Sequence, residues 1–450
     1  MRSAPPNMTN THHRASADGL VSQAQRLELG GLPQQAERLC IRALELEPGH
    51  AQATLLAARF AASDRHFARA AELLRVGHER HRDDTEMAIQ LALALAATDR
   101  LGEASLALEQ AVGSHPEAHQ AWLYLGLLRD RMGDAPASLQ AAYQAVTRAQ
   151  RAGQWVDESS TPAGLLPLVV RAIEQVRLGR RELFLESFAA LREEHGPAEL
   201  ARMDRALRAY LGELELVPSN PHQRPTFFYF PDLTDTAYHD PALQAGSAKL
   251  REAFGAIRFE AMAMLEAERQ SLPDFITTAE RSGQQKYLDG ANAVPPRWQA
   301  FFFYRRGRRF DVNHARCPVT SSVLESMALC RVTGQTPEIC FSVLGPETHI
   351  KPHHGVTNTR LVMHLPLIVP PECALNVFGG GVHAWKEGEP VMFDDTFLHE
   401  AWNRSSTPRV VLLMDCWNPH LSAVERQACT RLIEMISSLK PPDKTPVDSA

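Results

Sequence analysis

Two hydrophobic patterns divide this chain. Up to about residue 216 the apolar positions recur at helical steps, as in "LLPLVVRAIEQVRLGRRELFLESFAALREEH", where they fall three and four residues apart. Prolines and aromatics then cluster in "VPSNPHQRPTFFYFPDL" and mark a boundary near 217–225. Beyond it come short apolar or alternating runs: "AFFFYRR", "EICFSVLG", "RLVMHLPLIV", "ALNVFG", "PVMFDD" and "RVVLLMDCW". Gly and Pro punctuate them as in a β-sandwich or jelly roll. A last helix follows "NPH", opened by a Ser422–Glu425 capping box. The tail "KPPDKTPVDSA" is polar and reads as disordered.

The helical half carries a period of 34 residues. Ala36, Ala70, Ala104 and Ser138 follow that spacing, and all four are small. Five positions before each stand Gly31, Arg65, Asp99 and Gly133, in turn-like surroundings. Over residues 17–150 this resembles the tetratricopeptide repeat, in which two antiparallel helices per unit pack closely at small residues. An ordinary helical bundle with accidental periodicity is the competing reading. The repeat resemblance implies a groove for a peptide or protein partner. The expected layout is a multidomain α + β chain: a disordered 1–16, repeats over 17–150, a helical extension over 151–221, a β domain over 222–439 and a disordered 440–450.

Composition narrows the function. Apolar residues make up 44% of the 450 and charged residues 22%, as in a soluble globular protein. A net charge of −6, with arginines dispersed, argues against nucleic acid or an anionic membrane as partner. The seven cysteines are scattered, with no CxxC, which suits a reducing compartment. The first residues lack the apolar core of a signal peptide, and no run of about 18 apolar residues occurs. The expected location is cytoplasmic.

The chemistry concentrates in "PETHIKPHHGVTNTRLVMHLPL", with four histidines in sixteen positions: His349, His353, His354 and His364. Histidine clusters of this kind often bind metal. A familiar iron motif has a carboxylate two residues after the first His, but here that residue is Gly355. A second candidate ligand, His399, lies 46 residues beyond His353, far enough for several intervening strands. Spacing alone leaves this pair undecided.

The stretch from "FSVLGPETHIKPHHGVTNTRLVMHL" through "FDDTFLHEAWN" to "RVVLLMDCWNP" resembles the aspartyl/asparaginyl β-hydroxylase family, and more faintly so does the whole of 222–421. The resemblance implies a double-stranded β-helix (a cupin-like jelly roll) and an iron(II)- and 2-oxoglutarate-dependent dioxygenase using O2. It assigns the iron to His353 and His399, with water in the position that Gly355 leaves open. It assigns 2-oxoglutarate to Arg409, assisted by Ser342 and His364. Arg409 suits a distal carboxylate because a guanidinium grips one bidentately, and because an unpaired Arg on so apolar a strand is costly.

The same resemblance makes His349 and His354 bystanders and gives Asp394 and Asp395 a role in holding their loop. Arg360 is the candidate substrate-binding cation, while Val362 stands where well-studied members carry a second Arg. Hydroxylation of an unactivated C–H, on the β-carbon of an Asp/Asn-like residue in a peptide or protein, is the expected reaction. The alternatives are a repeat-based adaptor with a relic jelly roll, and a halogenase using the opening at Gly355.

Overall fold

The computed structural model describes residues 8–268, 271–276, 287–290 and 295–439. They divide into two compact units with the boundary between Glu182 and Leu183. The expected tail 440–450 and the first seven residues lie outside the described residues. Residues 8–16, expected to be unstructured, instead open a helix, Met8–Leu29; after Pro6 no proline recurs before Pro33 to interrupt it.

The first unit is a series of helical hairpins, and the 34-residue period has a physical cause at two positions. Ala36, Ala70, Ala104 and Ser138 are each the fourth residue of a helix (Pro33–Leu46, Phe67–Arg80, Leu101–Ser114, Ala135–Arg151), and all are fully buried. Close approach there excludes larger side chains. In the last hairpin Ser138 Oγ donates to the Gly126 carbonyl at 2.9 Å, and a Cβ on Gly126 would meet Ala142 N at 3.2 Å. Gly31, Arg65, Asp99 and Gly133 have φ of 74°, 61°, 61° and 80°. Each sits in the left-handed conformation that ends one helix and turns the chain into the next.

The stretch expected as one helical extension, 151–221, is divided between the units. Val169, Ala172 and Val176 pack with Ala142, Ala145 and Trp155 and complete the repeats. Downstream, Tyr210 meets Phe184, Phe227 and Phe228 edge-on at 5.9–6.2 Å, and Arg202 lies over Phe230 and pairs with Glu425. Those aromatic and ionic contacts draw Leu183 onward into the second unit.

Among the described residues the second unit has twelve strands: β1 (Tyr238–His239), β2 (Leu288–Gly290), β3 (Trp298–Arg305), β4 (Arg308–Arg309), β5 (Ile339–Leu344), β6 (Thr348–His353), β7 (Arg360–Ile368), β8 (Cys373–Val377), β9 (Gly381–Ala384), β10 (Val391–Phe393), β11 (His399–Asn403) and β12 (Arg409–Trp417). All named pairs are antiparallel, in one sheet of order β1-β10-β7-β12-β5-β3-β4 and a second of order β2-β6-β11-β8-β9. From β5 to β12 the strands alternate between the two sheets except at the β8–β9 hairpin, which makes the unit a double-stranded β-helix, the jelly roll expected from the sequence.

Side-chain alternation then decides what enters the barrel. On β5, β7 and β12, Phe341, Met363 and Leu412 pack outward under helices that include Phe254–Ala267 and Pro318–Glu325. Cys340, Val362 and Val411 pack inward against Leu375 and Ala401 of the other sheet. Ser342, His364 and Arg409 share the inward parity, and all are buried. The Ser422–Glu425 capping box forms as expected, with reciprocal hydrogen bonds of 2.9 and 3.1 Å. All seven cysteines are buried free thiols. Among the described residues no helix is long and apolar enough to cross a membrane.

Candidate active site

His353 is the last residue of β6 and His399 the first of β11, and strand pairing sets them opposite one another. Their ring centroids are 4.2 Å apart. Each Nδ1 lies against a carbonyl two residues back, Lys351 O at 2.8 Å for His353 and Phe397 O at 2.9 Å for His399. The Nδ1–H of each ring therefore donates to the backbone, and the lone pair is left on Nε2. This tautomer leaves Nε2 available as a metal ligand. Burial lowers the pKa of both rings; for His399, burial and then the neighbouring His353 bring it to about 4. The pair is thus neutral and metal-competent at physiological pH. Among the described residues no set of three or more His, Cys, Asp or Glu side chains is placed to hold a metal.

That protonation behaviour predicts a pH effect. His399 titrates near 6.5 when unfolded and near 4 when folded, so the unfolded chain binds the extra proton between those values. The destabilisation that results is absent at pH 7.5 and present at pH 5. Between those two pH values, His399→Asn should gain about 2 kcal/mol relative to wild type, from a difference of about 1.5 pH units at 1.36 kcal/mol each. Urea denaturation of both metal-free proteins at the two pH values measures it; a pH-independent difference would refute the assignment.

The loops that carry the two histidines are cross-linked. His354 Nδ1 donates to Thr396 O at 2.8 Å, and Gly355 N–H to Asp395 O at 2.6 Å. The space a side chain at Gly355 would take is filled: a Cβ there would fall inside the carboxylate of Asp395. Asp395 Oδ2 pairs with Arg360 Nη2 at 2.9 Å, and Arg360 Nη1 pairs with Asp415 Oδ1 at 2.8 Å. Asp395 Oδ1 is buried without a hydrogen-bond partner. Arg360, the candidate substrate cation, is thereby committed to two carboxylates; burial opposes its charge, but Asp395 and Asp415 outweigh burial and raise its pKa. Asp394 holds its loop, accepting from Thr396 N at 2.9 Å and Thr396 Oγ1 at 2.6 Å. His349 is bonded to Glu400 at 2.8 Å.

A second cluster lies deeper in the barrel. Arg409 is 2% exposed, its Nε and Nη1 have no hydrogen-bond partner, and burial lowers its pKa to about 10. Its guanidinium lies 4.6 Å from the centre of the Trp385 ring. Trp385 Nε1 and His364 Nδ1 are likewise buried and unpartnered; the two rings are 5.9 Å apart. Burial, then the charge of Arg409, hold the His364 pKa well below its ordinary value. Ser342 Oγ accepts from Trp298 Nε1 at 2.9 Å. Phe393 stands between the two clusters, 5.6 Å from the His399 ring and 5.3 Å from His364. A positive site with several unsatisfied donors fits a small carboxylate ligand.

Residues 251–419 match the model of the aspartyl/asparaginyl β-hydroxylases. This stretch is similar to the aspartyl/asparaginyl β-hydroxylase family. The chain is 34% identical over 235 residues to the rat (Rattus norvegicus) aspartate beta-hydroxylase domain-containing protein 2, covering 51% of this chain and 64% of that one. It is 35% identical over 132 residues to the human (Homo sapiens) aspartyl/asparaginyl beta-hydroxylase, covering 29% of this chain and 17% of that one. The similarity thus spans less than two thirds of either relative. Among solved structures, MamA from Desulfovibrio magneticus RS-1 aligns with a TM-score of 0.28 at 19% identity, over 30% of this chain and 76% of that one.

The β-hydroxylase segment contains residues that a linear reading undervalues. Asp395 belongs to an acidic pair whose two members do different things. Trp385 has no motif of its own, yet it backs the cation of the deeper cluster.

Proposed function

We propose that this protein is an iron(II)- and 2-oxoglutarate-dependent dioxygenase that hydroxylates an unactivated C–H bond in a peptide or protein, with the helical repeats engaging that partner. The observation that carries the reading is the combination of two paired, neutral imidazoles with ring centroids 4.2 Å apart and a buried, uncompensated Arg409 in the same barrel. His353 and His399 would hold the iron, and Arg409 would take the distal carboxylate of 2-oxoglutarate. His364 and Trp385 line the same deep end, with Ser342 in reach of the barrel interior. When bound, iron(II) would activate O2 as the oxidant, with one oxygen atom entering the C–H bond and the other the succinate formed as 2-oxoglutarate is oxidised and loses carbon dioxide.

The residues present suit that chemistry by exclusion as much as by contact. Phe393, Val411 and Leu413 are buried in the same apolar core, and such surroundings would strengthen the hold of Arg409 on an anion. Halogenation is the weaker reading, because a chloride beside Gly355 would lie against the Asp395 carboxylate. A relic adaptor is also weaker: an uncompensated buried cation costs stability and gains nothing without a ligand.

Anaerobic titration with iron(II) and 2-oxoglutarate tests the proposal through the visible charge-transfer band of the chelate. Wild type should develop the band, and His353→Ala and Arg409→Ala should lose it. No band in wild type, or an undiminished band in both variants, would overturn it.

A further inference from the structure

The segment that precedes the barrel, residues 222–230, lies along both loops that carry the imidazoles. Leu398 N–H donates to His222 O at 3.0 Å and Arg224 N–H to Thr396 O at 2.8 Å, with Gln223 bridged to Phe397. Further along, Thr226 N–H donates to Gly355 O, and Phe227 and Phe228 N–H donate to Val356 O, each at 3.0 Å. One segment is thus hydrogen-bonded to the loop after His353 and to the loop before His399.

Side chains clamp both ends of the segment. Gln223, 2% exposed, donates from Nε2 to Asp394 Oδ2 at 2.8 Å. At the far end the Asn358 side chain exchanges two hydrogen bonds of 2.8 Å with the backbone of Phe230. Behind it, Tyr210 stands edge-on to Phe227 and Phe228.

We propose that residues 222–230 form a positioning strap, with Gln223 its principal side chain, that sets the separation of His353 and His399 for a shared metal ion. The inference rests on the metal-site reading above. Both histidines sit at strand ends, where pairing stops, so the strands alone do not hold the loops against each other. A metal site tolerates only about 0.5 Å of ligand displacement. With two protein ligands instead of three, less of that geometry is imposed by chelation. Gln223 acts through a short path: its amide holds one oxygen of Asp394, the other oxygen holds Thr396, and His399 follows three residues later.

The test is Mn(II) binding to the full chain, followed by electron paramagnetic resonance, in wild type, Gln223→Ala, Asp394→Asn and the double variant. Outer-shell losses at metal sites commonly reach tenfold or more, so Gln223→Ala should raise the Mn(II) dissociation constant about tenfold. The double variant should bind no more weakly than the worse single one, because both act on one path. Asn358→Ala, at the other end of the strap, should show a comparable loss and serves if Gln223→Ala does not fold. A purely structural role would lower the urea midpoint and leave the Mn(II) affinity of the folded variants unchanged, and that result overturns the strap. Losses that multiply in the double variant overturn the path through Asp394. A wild type that binds no Mn(II) removes the metal site itself, and the strap's role with it.

Discussion

Replacing Arg409 by Met is expected to stabilise the ligand-free protein while sharply weakening its affinity for 2-oxoglutarate. The guanidinium is 2% exposed, and two of its nitrogens lack hydrogen-bond partners. Burial lowers its pKa to about 10, which still leaves it charged at pH 7.5. An uncompensated buried ion costs several kcal/mol after relaxation. The Trp385 face offsets about 2 kcal/mol of that. The balance is unfavourable until an anion arrives. Met has similar length, adapts to irregular space and leaves no charge behind, so a gain of about 2 kcal/mol follows, or roughly 4–8 °C for a domain of this size.

In the proposed function the same substitution would remove the charge-assisted contact to the distal carboxylate of 2-oxoglutarate. Truncating one side of such a pair costs about 2–5 kcal/mol, roughly 30- to 5000-fold in affinity. Differential scanning fluorimetry with Mn(II), with and without 2-oxoglutarate, reads both effects. Wild type should rise with added 2-oxoglutarate, following the binding linkage. The variant should start higher and not respond. A variant that melts below wild type would mean that Arg409 is compensated without ligand, and the deep cluster would then be a structural ion site.

The reach of the sequence follows the range of the interactions involved. The small residues at the close-packed positions Ala36, Ala70, Ala104 and Ser138 recur at a fixed spacing, so their period is readable in one dimension. Strand alternation is also local. Given that β5, β7 and β12 are strands, Ser342, His364 and Arg409 must point to the side of Cys340, Val362 and Val411. The pairing of His353 with His399 needed the topology, and family resemblance carried that step where spacing could not. Arg360 shows where the reading stops. Its partners lie 35 and 55 residues downstream, and no local pattern distinguishes a cation awaiting a substrate from one already held by Asp395 and Asp415. The helix Leu166–Ser187 is uniform in its apolar period, yet the boundary between the two units falls within it. Which core a helical face joins is decided by aromatic contacts such as Phe184 with Tyr210, made after the chain has folded.

Gly355→Asp, which installs the carboxylate found at this place in other iron sites, is expected to damage the protein instead of completing its metal site. Backbone strain is not the obstacle, since Gly355 is not among the residues with positive φ. Space is: the new Cβ would fall inside the carboxylate of Asp395, and a second carboxylate would be forced against the first. Displacing Asp395 also breaks its ion pair with the buried Arg360, a loss of about 3–5 kcal/mol when one partner of such a pair is removed. A fall in stability of at least about 3 kcal/mol should follow, with Mn(II) affinity reduced about tenfold or more. The companion change Asp395→Gly vacates the same space from the opposite loop. In the double variant the carboxylate at position 355 can reach toward Arg360 Nη2, so the urea midpoint should recover most of the loss and Mn(II) binding should return. If Gly355→Asp alone keeps the wild-type midpoint and binds Mn(II) more tightly, Asp395 yields its place freely. The position beside the two histidines would then be open to any third ligand.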